Sequence, residues 1–106
     1  MPALSEYTNV HGIALAHLER LGFQVWHDKQ ADLFCAERDG WDFMAESPVG
    51  LLGLVKLWEL AQPEAWSEYW WRTVEPVDHS RLPEAPPRPY TSVIRRGPRG
   101  DAPLAR

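Results

Sequence analysis

The sequence has little cysteine and no long apolar run, and each absence restricts what the chain can be. Its 106 residues include one cysteine, Cys35, so an internal disulfide and a multi-cysteine zinc site are both excluded. No segment approaches the roughly 18 apolar residues that span a bilayer, and the first residues lack the basic and then apolar order of a secretory signal. We therefore expect a cytoplasmic protein, without membrane contact, whose core is held by packing alone.

Basic residues are scarce in the first two thirds of the chain. Residues 1–74 carry five Lys or Arg against eleven Asp or Glu, whereas residues 75–106 carry six against four. The first part also contains all six tryptophans, and the second contains seven of the ten prolines. We therefore predict a small acidic domain over residues 1–74 and a flexible Pro/Arg-rich extension over residues 75–106. Within that extension, residues 90–94 have the composition of an edge strand.

Hydrophobic periodicity in the first part predicts an α+β fold. A first helix is expected from Ser5 or Thr8 to Leu21, with Gly22 as the left-handed residue that follows it. A strand is expected over residues 23–27, where apolar and polar residues alternate. Five helical residues are expected to face the core: Val10, Ala14, His17, Leu18 and Leu21.

The dipeptide Asp39-Gly40 is typical of a tight β-hairpin turn, because both residues tolerate a left-handed backbone. It predicts two antiparallel strands over residues 33–38 and 41–46. A two-residue turn then fixes which residues lie opposite each other. The predicted pairs are Arg38 with Trp41, Ala36 with Phe43 and Phe34 with Ala45.

Two helices are expected after the hairpin. Ser47 and Pro48 are typical of an N-cap and a first helical residue, and they predict a helix over residues 49–61. A last short helix is predicted over residues 64–73. The predicted fold is therefore a helix, a three-stranded mainly antiparallel sheet and two further helices. Because the helix over residues 49–61 is apolar around most of its circumference, we also expect a homodimer, or a subunit that is buried in an oligomer.

The order of these elements, together with the sequences at residues 18–25 and 32–40, resembles the core of restriction-endonuclease-like nucleases of the PD-(D/E)xK group. The resemblance covers about residues 14–60. It implies that Asp32 and Glu46 hold Mg²⁺ while a lysine steadies the attacking water.

The lysine of that motif is missing. Pro48 stands two residues after Glu46, which leaves Lys56 on the following helix as the only substitute for the lysine. A two-residue turn also directs Asp32 and Glu46 to opposite faces of the sheet, where they could not share a metal. The four histidines lack metal-ligand spacing, and Cys35 is interpreted as an inert buried thiol. We therefore expect neither catalysis nor a cofactor.

Aromatic residues are concentrated between residues 58 and 71, where they form either a core or a partner-binding surface. Five large side chains within fourteen residues cannot easily all face inward, so we expect some of them to bind a protein partner. The candidates are Trp58, Trp66, Tyr69, Trp70 and Trp71.

The acidic domain favours a basic protein partner and disfavours nucleic acid, which only the arginines of residues 88–99 could contact. We therefore predict a non-enzymatic interaction protein of the adaptor, inhibitor or immunity type. The alternative is a degenerate nuclease-like fold that retains contact with nucleic acid or Mg²⁺.

Overall fold

The computed structural model describes residues 3–87, within which residues 6–75 form one compact unit. The unit is α+β, as predicted, and it contains one three-stranded sheet and two helices. The predicted strand at residues 90–94 and the rest of the chain after residue 87 lie outside the described residues. The elements are α1 (Thr8–Arg20), β1 (Gln24–Asp28), β2 (Leu33–Arg38), β3 (Trp41–Ala45) and α2 (Pro48–Ala61).

The sheet is antiparallel with the strand order β1-β2-β3, and the turn between β2 and β3 sets its register. Asp39 and Gly40 have φ angles of 53° and 84°, the left-handed values that a two-residue hairpin turn requires. Arg38 lies opposite Trp41 and Ala36 opposite Phe43, so the predicted register is confirmed. Because side chains alternate along a strand, this register assigns every strand residue to one face of the sheet.

One face of the sheet packs against both helices and forms the core. Full burial of a large apolar side chain, such as Leu, Val or Phe, contributes roughly 1.5–3 kcal/mol to stability. The buried cluster consists of Leu18 from α1, Leu51 and Val55 from α2, and Phe23, Ala36 and Phe43 from the sheet side.

Helix α1 buries only some of the residues that were expected to face the core. Ala14 and Leu18 are buried, but His17 and Leu21 are exposed, so the prediction of a core histidine is wrong. The helix contacts the sheet along a narrow stripe, and His17 is rotated away from that stripe by the 3.6-residue turn. Leu21 follows the last helical residue, and its carbonyl accepts a hydrogen bond from Arg38 Nη1 at 2.9 Å.

Helix α2 begins and ends as local chemistry predicts. The Ser47 hydroxyl accepts a hydrogen bond from the Gly50 amide at 3.0 Å, and Pro48 occupies the first helical position. The helix ends at Ala61, and Gln62, which follows it, has a left-handed φ of 49°. None of the helices within residues 3–87 is long and apolar enough to cross a bilayer.

The helix predicted over residues 64–73 is absent, and the chain forms turns there instead. The Trp70 amide donates to the Ser67 carbonyl at 3.2 Å, and the Arg72 amide donates to the Tyr69 carbonyl at 3.0 Å. Tyr69 has a φ of 58°, which interrupts any helix at this point. A segment of about ten residues has little helical stability of its own, so the packing of Trp70 against the sheet decides its conformation.

Residues 76–87 belong to a separate unit and are described by themselves. They contain one turn of 3₁₀-helix, His79–Arg81, which the Asp78 side chain caps. Hydrogen bonds from the Ser80 amide and hydroxyl, at 3.0 and 2.8 Å, lower the pKa of the Asp78 carboxyl.

We predict that Gly40→Ala destabilises the domain by about 1–2 kcal/mol, because a Cβ is disfavoured in the left-handed backbone of the hairpin turn. The matched control is Gly12→Ala in α1, where an added Cβ meets open space, and it should stabilise the domain by roughly 0.5–1 kcal/mol. Thermal unfolding followed by circular dichroism measures both changes. Equal stability of the Gly40→Ala variant and the wild type would contradict the assigned turn.

Candidate functional site

Trp58 is partly buried and packs against the core, so it is not part of the exposed aromatic surface. Its ring packs edge-on against Phe23 and Phe43, with ring centres 5.8 and 5.9 Å apart respectively. The Arg38 guanidinium lies 5.8 Å from the centre of the same ring. Of the two interpretations of the aromatic residues, core packing and partner binding, the structure therefore supports core packing for Trp58.

Trp70 lies at the boundary between core and surface. Its ring makes an edge contact with Trp41, with the ring centres 5.3 Å apart, and it is half-buried. Trp41 in turn lies 6.4 Å from Trp58. Trp70 therefore attaches the turn segment to the aromatic core and holds its neighbours at the surface.

The other three candidates are exposed. Trp66 is 74% exposed, and Trp71 is 44% exposed. Tyr69 and Trp71 make an edge contact at 5.7 Å, and the Arg72 guanidinium lies 4.8 Å from the Tyr69 ring centre. These side chains form an exposed aromatic surface. A partner that orders them loses little conformational entropy, because each side chain has only two rotatable bonds.

An apolar groove lies beside this surface, between the turn segment, α2 and the edge of β3. It has a volume of about 390 Å³. Leu54 and Leu57 of α2 and Trp70 and Trp71 of the turn segment are among the residues that line it. The groove is completed by β3 residues: Asp42, Phe43 and Met44.

The groove opens along a strand edge that is free within the described part of the chain. β3 pairs with β2 on one side and has no neighbour in the sheet on the other. In an antiparallel ladder, alternate residues direct their N–H and C=O groups outward from such an edge. A partner that enters the groove therefore also meets unpaired backbone donors and acceptors.

Sequence reasoning found the aromatic wall of the groove but missed its other residues. The sequence indicates Leu54 and Leu57 only through the general apolar character of α2, and no local pattern marks Met44 or Asp42 as a site residue. Their convergence depends on how α2 crosses the sheet, and no local pattern encodes that crossing. The apolar circumference of α2 is the one sequence feature that indicates a second contact surface on this helix.

The three residues of the nuclease-like alternative lie in different surroundings. Asp32 is in the turn before β2, where its carboxylate lies 3.1 Å from His27 Nε2 and its side chain is 87% exposed. Glu46 follows the end of β3, and Lys56 on α2 pairs with Glu59 at 3.8 Å. Within residues 3–87 no group of three or more His, Cys, Asp or Glu side chains could hold a metal ion.

No protein-family model, curated protein or solved structure matches this chain.

We predict that Trp58→Ala destabilises the domain by about 3 kcal/mol or more, because it opens a cavity among Phe23, Phe43 and Trp41. Trp66→Ala is the matched control and should change stability by less than about 0.5 kcal/mol, since its ring is exposed. Urea unfolding monitored by circular dichroism gives both values. If Trp58→Ala proves too unstable to purify, Trp58→Phe should show a smaller loss. An unchanged midpoint in both Trp58 variants would contradict the core assignment.

We also predict that the full chain binds neither Mg²⁺ nor Mn²⁺ in the millimolar range, because no three carboxylate, histidine or cysteine side chains converge on one site within residues 3–87. Isothermal titration calorimetry with each chloride salt tests this, with the double variant Asp32→Ala/Glu46→Ala as control. A heat of binding that disappears in the double variant would favour the nuclease-like alternative.

Proposed function

We propose that this chain is a non-enzymatic protein-interaction module that binds a partner through the groove and the exposed aromatic residues beside it. The observation that supports this most directly is the groove itself, a concave apolar site on the surface of a small acidic domain. Apolar pockets with aromatic walls are the usual receptors for the anchor side chains that dominate the binding energy of protein interfaces.

The shape of the groove suggests how a partner is held. An aliphatic or aromatic side chain of the partner occupies the space between Leu54, Leu57 and Trp71. The exposed rings of Trp66 and Tyr69 then cover the contact and exclude water from it. Backbone groups at the free edge of β3 supply hydrogen bonds that fix the direction of the partner chain.

A degenerate nuclease-like fold is retained as the alternative, but no observation in the described residues favours it. Self-association likewise stays a prediction. The exposed residues Leu57 and Leu60 on α2 are compatible with a homodimer, in which a second copy would cover this side of the helix.

Affinity capture with the immobilised full chain, in an extract of the native cell, tests the proposal when wild type and variants are compared by mass spectrometry. We expect a partner that the wild type retains and that Trp71→Ala and Leu57→Ala lose by at least tenfold, because both changes remove walls of the groove. The control is Ile13→Ala, which alters an exposed apolar residue on α1, outside the groove.

Two outcomes would contradict the proposal. One is capture that the groove variants leave unchanged, which would place the binding surface elsewhere. The other is equal loss in the groove variants and in Ile13→Ala, which would indicate non-specific adhesion. Circular dichroism of each variant establishes that the domain remains folded.

A further inference from the structure

The face of the sheet opposite the core has an unusual composition. Neither α1 nor α2 packs on this outer face, because both helices contribute to the core on the other side. The register places eight strand residues on it. They are Gln24, Trp26 and Asp28 from β1, Leu33, Cys35 and Glu37 from β2, and Asp42 and Met44 from β3.

An apolar row crosses the middle of the outer face. Trp26 lies opposite Cys35, and Cys35 lies opposite Met44, so the three side chains are neighbours on successive strands. Trp26 is 48% exposed and Met44 is 60% exposed, whereas Cys35 between them is only 4% exposed. The solvent face of an antiparallel sheet is ordinarily polar, so an exposed row of this kind points to a contact surface.

Carboxylates flank the row, and no lysine or arginine is present among the eight positions. Asp28 lies on one side of the row, and Glu37 and Asp42 lie together on the other. Glu37 and Asp42 are directly opposite each other, an arrangement of like charges that destabilises a sheet. This unfavourable pair lies in a hairpin whose turn and register otherwise follow the sequence preferences of β-hairpins. A pair that breaks such a preference without an evident gain in stability is expected at a functional surface.

Part of this acidity has a structural explanation. Asp28 accepts hydrogen bonds from the Gln30 and Ala31 amides, and Glu37 accepts one from the Gly40 amide at 2.8 Å. These bonds stabilise the two turns at the ends of β2. Asp42 has no comparable role within residues 3–87, so its charge is the one that folding explains least.

We propose that the outer face binds a basic amphipathic helix of a protein partner. The apolar side of that helix lies on the row formed by Trp26, Cys35 and Met44, and its lysines or arginines reach Asp28, Glu37 and Asp42. The row crosses three strands and is therefore about 10 Å long, a length that about two turns of a helix cover. This inference rests on the proposed function in that the ligand is a protein. Asp42 and Met44 also line the groove at the edge of β3, whereas Trp26 on β1 belongs to the outer face alone.

Two other occupants fit the face less well. A second copy of the chain would bring two sets of carboxylates together, and the net acidity of the domain would oppose that contact. An added strand needs a free sheet edge, whereas the backbone groups in the middle of this face are already paired within the sheet. A helix requires only side-chain contacts, which are what the face offers.

The test uses the full chain and a fluorescein-labelled 14-residue peptide amide that repeats the sequence Leu-Lys-Lys-Leu-Leu-Lys-Leu. Fluorescence anisotropy should show binding that weakens at least tenfold in Trp26→Ala and about threefold in Asp42→Asn. Binding should also weaken between 50 and 300 mM salt, as expected of opposite charges at an exposed interface. Ile13→Ala and the same peptide with glutamate in place of lysine are the controls.

A stability measurement separates binding from structure. Because Asp42→Asn removes a like-charge repulsion, its melting temperature should equal or exceed that of the wild type while its affinity falls. A parallel fall in both would show that Asp42 acts only on the fold and would overturn the inference. If Trp26→Ala fails to fold, Trp26→Thr, whose side chain suits a strand, decides the result, because Asp42 also lines the groove.

The outcomes also distinguish this inference from the proposed function. Peptide binding that neither Trp26→Ala nor Asp42→Asn weakens, alongside a partner lost by Trp71→Ala, would overturn the inference and leave the groove in place. The opposite result is also possible: Trp26→Ala and Asp42→Asn weaken peptide binding, but Trp71→Ala does not reduce partner capture. That result would support binding at the outer face and contradict binding in the groove.

Discussion

The rest of the structure depends on the two-residue turn at Asp39-Gly40. Its left-handed backbone joins β2 to β3 in one register, which turns Ala36 and Phe43 toward the helices. A shift of one residue would exchange the two faces and present Cys35 and Met44 to Leu51. The core and both candidate binding surfaces therefore follow from one local feature, because the groove is bounded by β3 and the outer face is the reverse side of the same strands.

Arg38 connects this hairpin to the remainder of the core. Its side chain donates to the last carbonyl of the α1 segment, at Leu21, and its guanidinium lies against Phe23 and Trp58. A cation at this end of a helix complements the helix dipole, and its planar group covers the aromatic rings. One side chain thus contacts the end of α1, the sheet and α2, and it adds to the apolar packing that holds this domain of about seventy residues together without a disulfide.

Local chemistry predicts most of this fold and little of its surfaces. Asp39-Gly40, Ser47-Pro48 and Gly22 each act within a few residues, so their turn, cap and helix end could be derived from the sequence. The helix expected over residues 64–73 failed because the packing of Trp70 on Trp41 outweighs weak local preferences. The groove joins residues from β3, α2 and the turn segment, and a convergence of that kind depends on tertiary packing that no single stretch of sequence encodes.

The position of Cys35 has a chemical consequence. Its side chain is only 4% exposed although Trp26 and Met44 on either side of it are exposed, and its Sγ approaches the Leu33 carbonyl at 3.8 Å. An alkylating reagent gains access to this thiol only when the strands separate or the neighbouring side chains move apart. The chain therefore carries a natural reporter in the middle of its sheet, and the rate of thiol modification in native buffer measures how often the sheet opens.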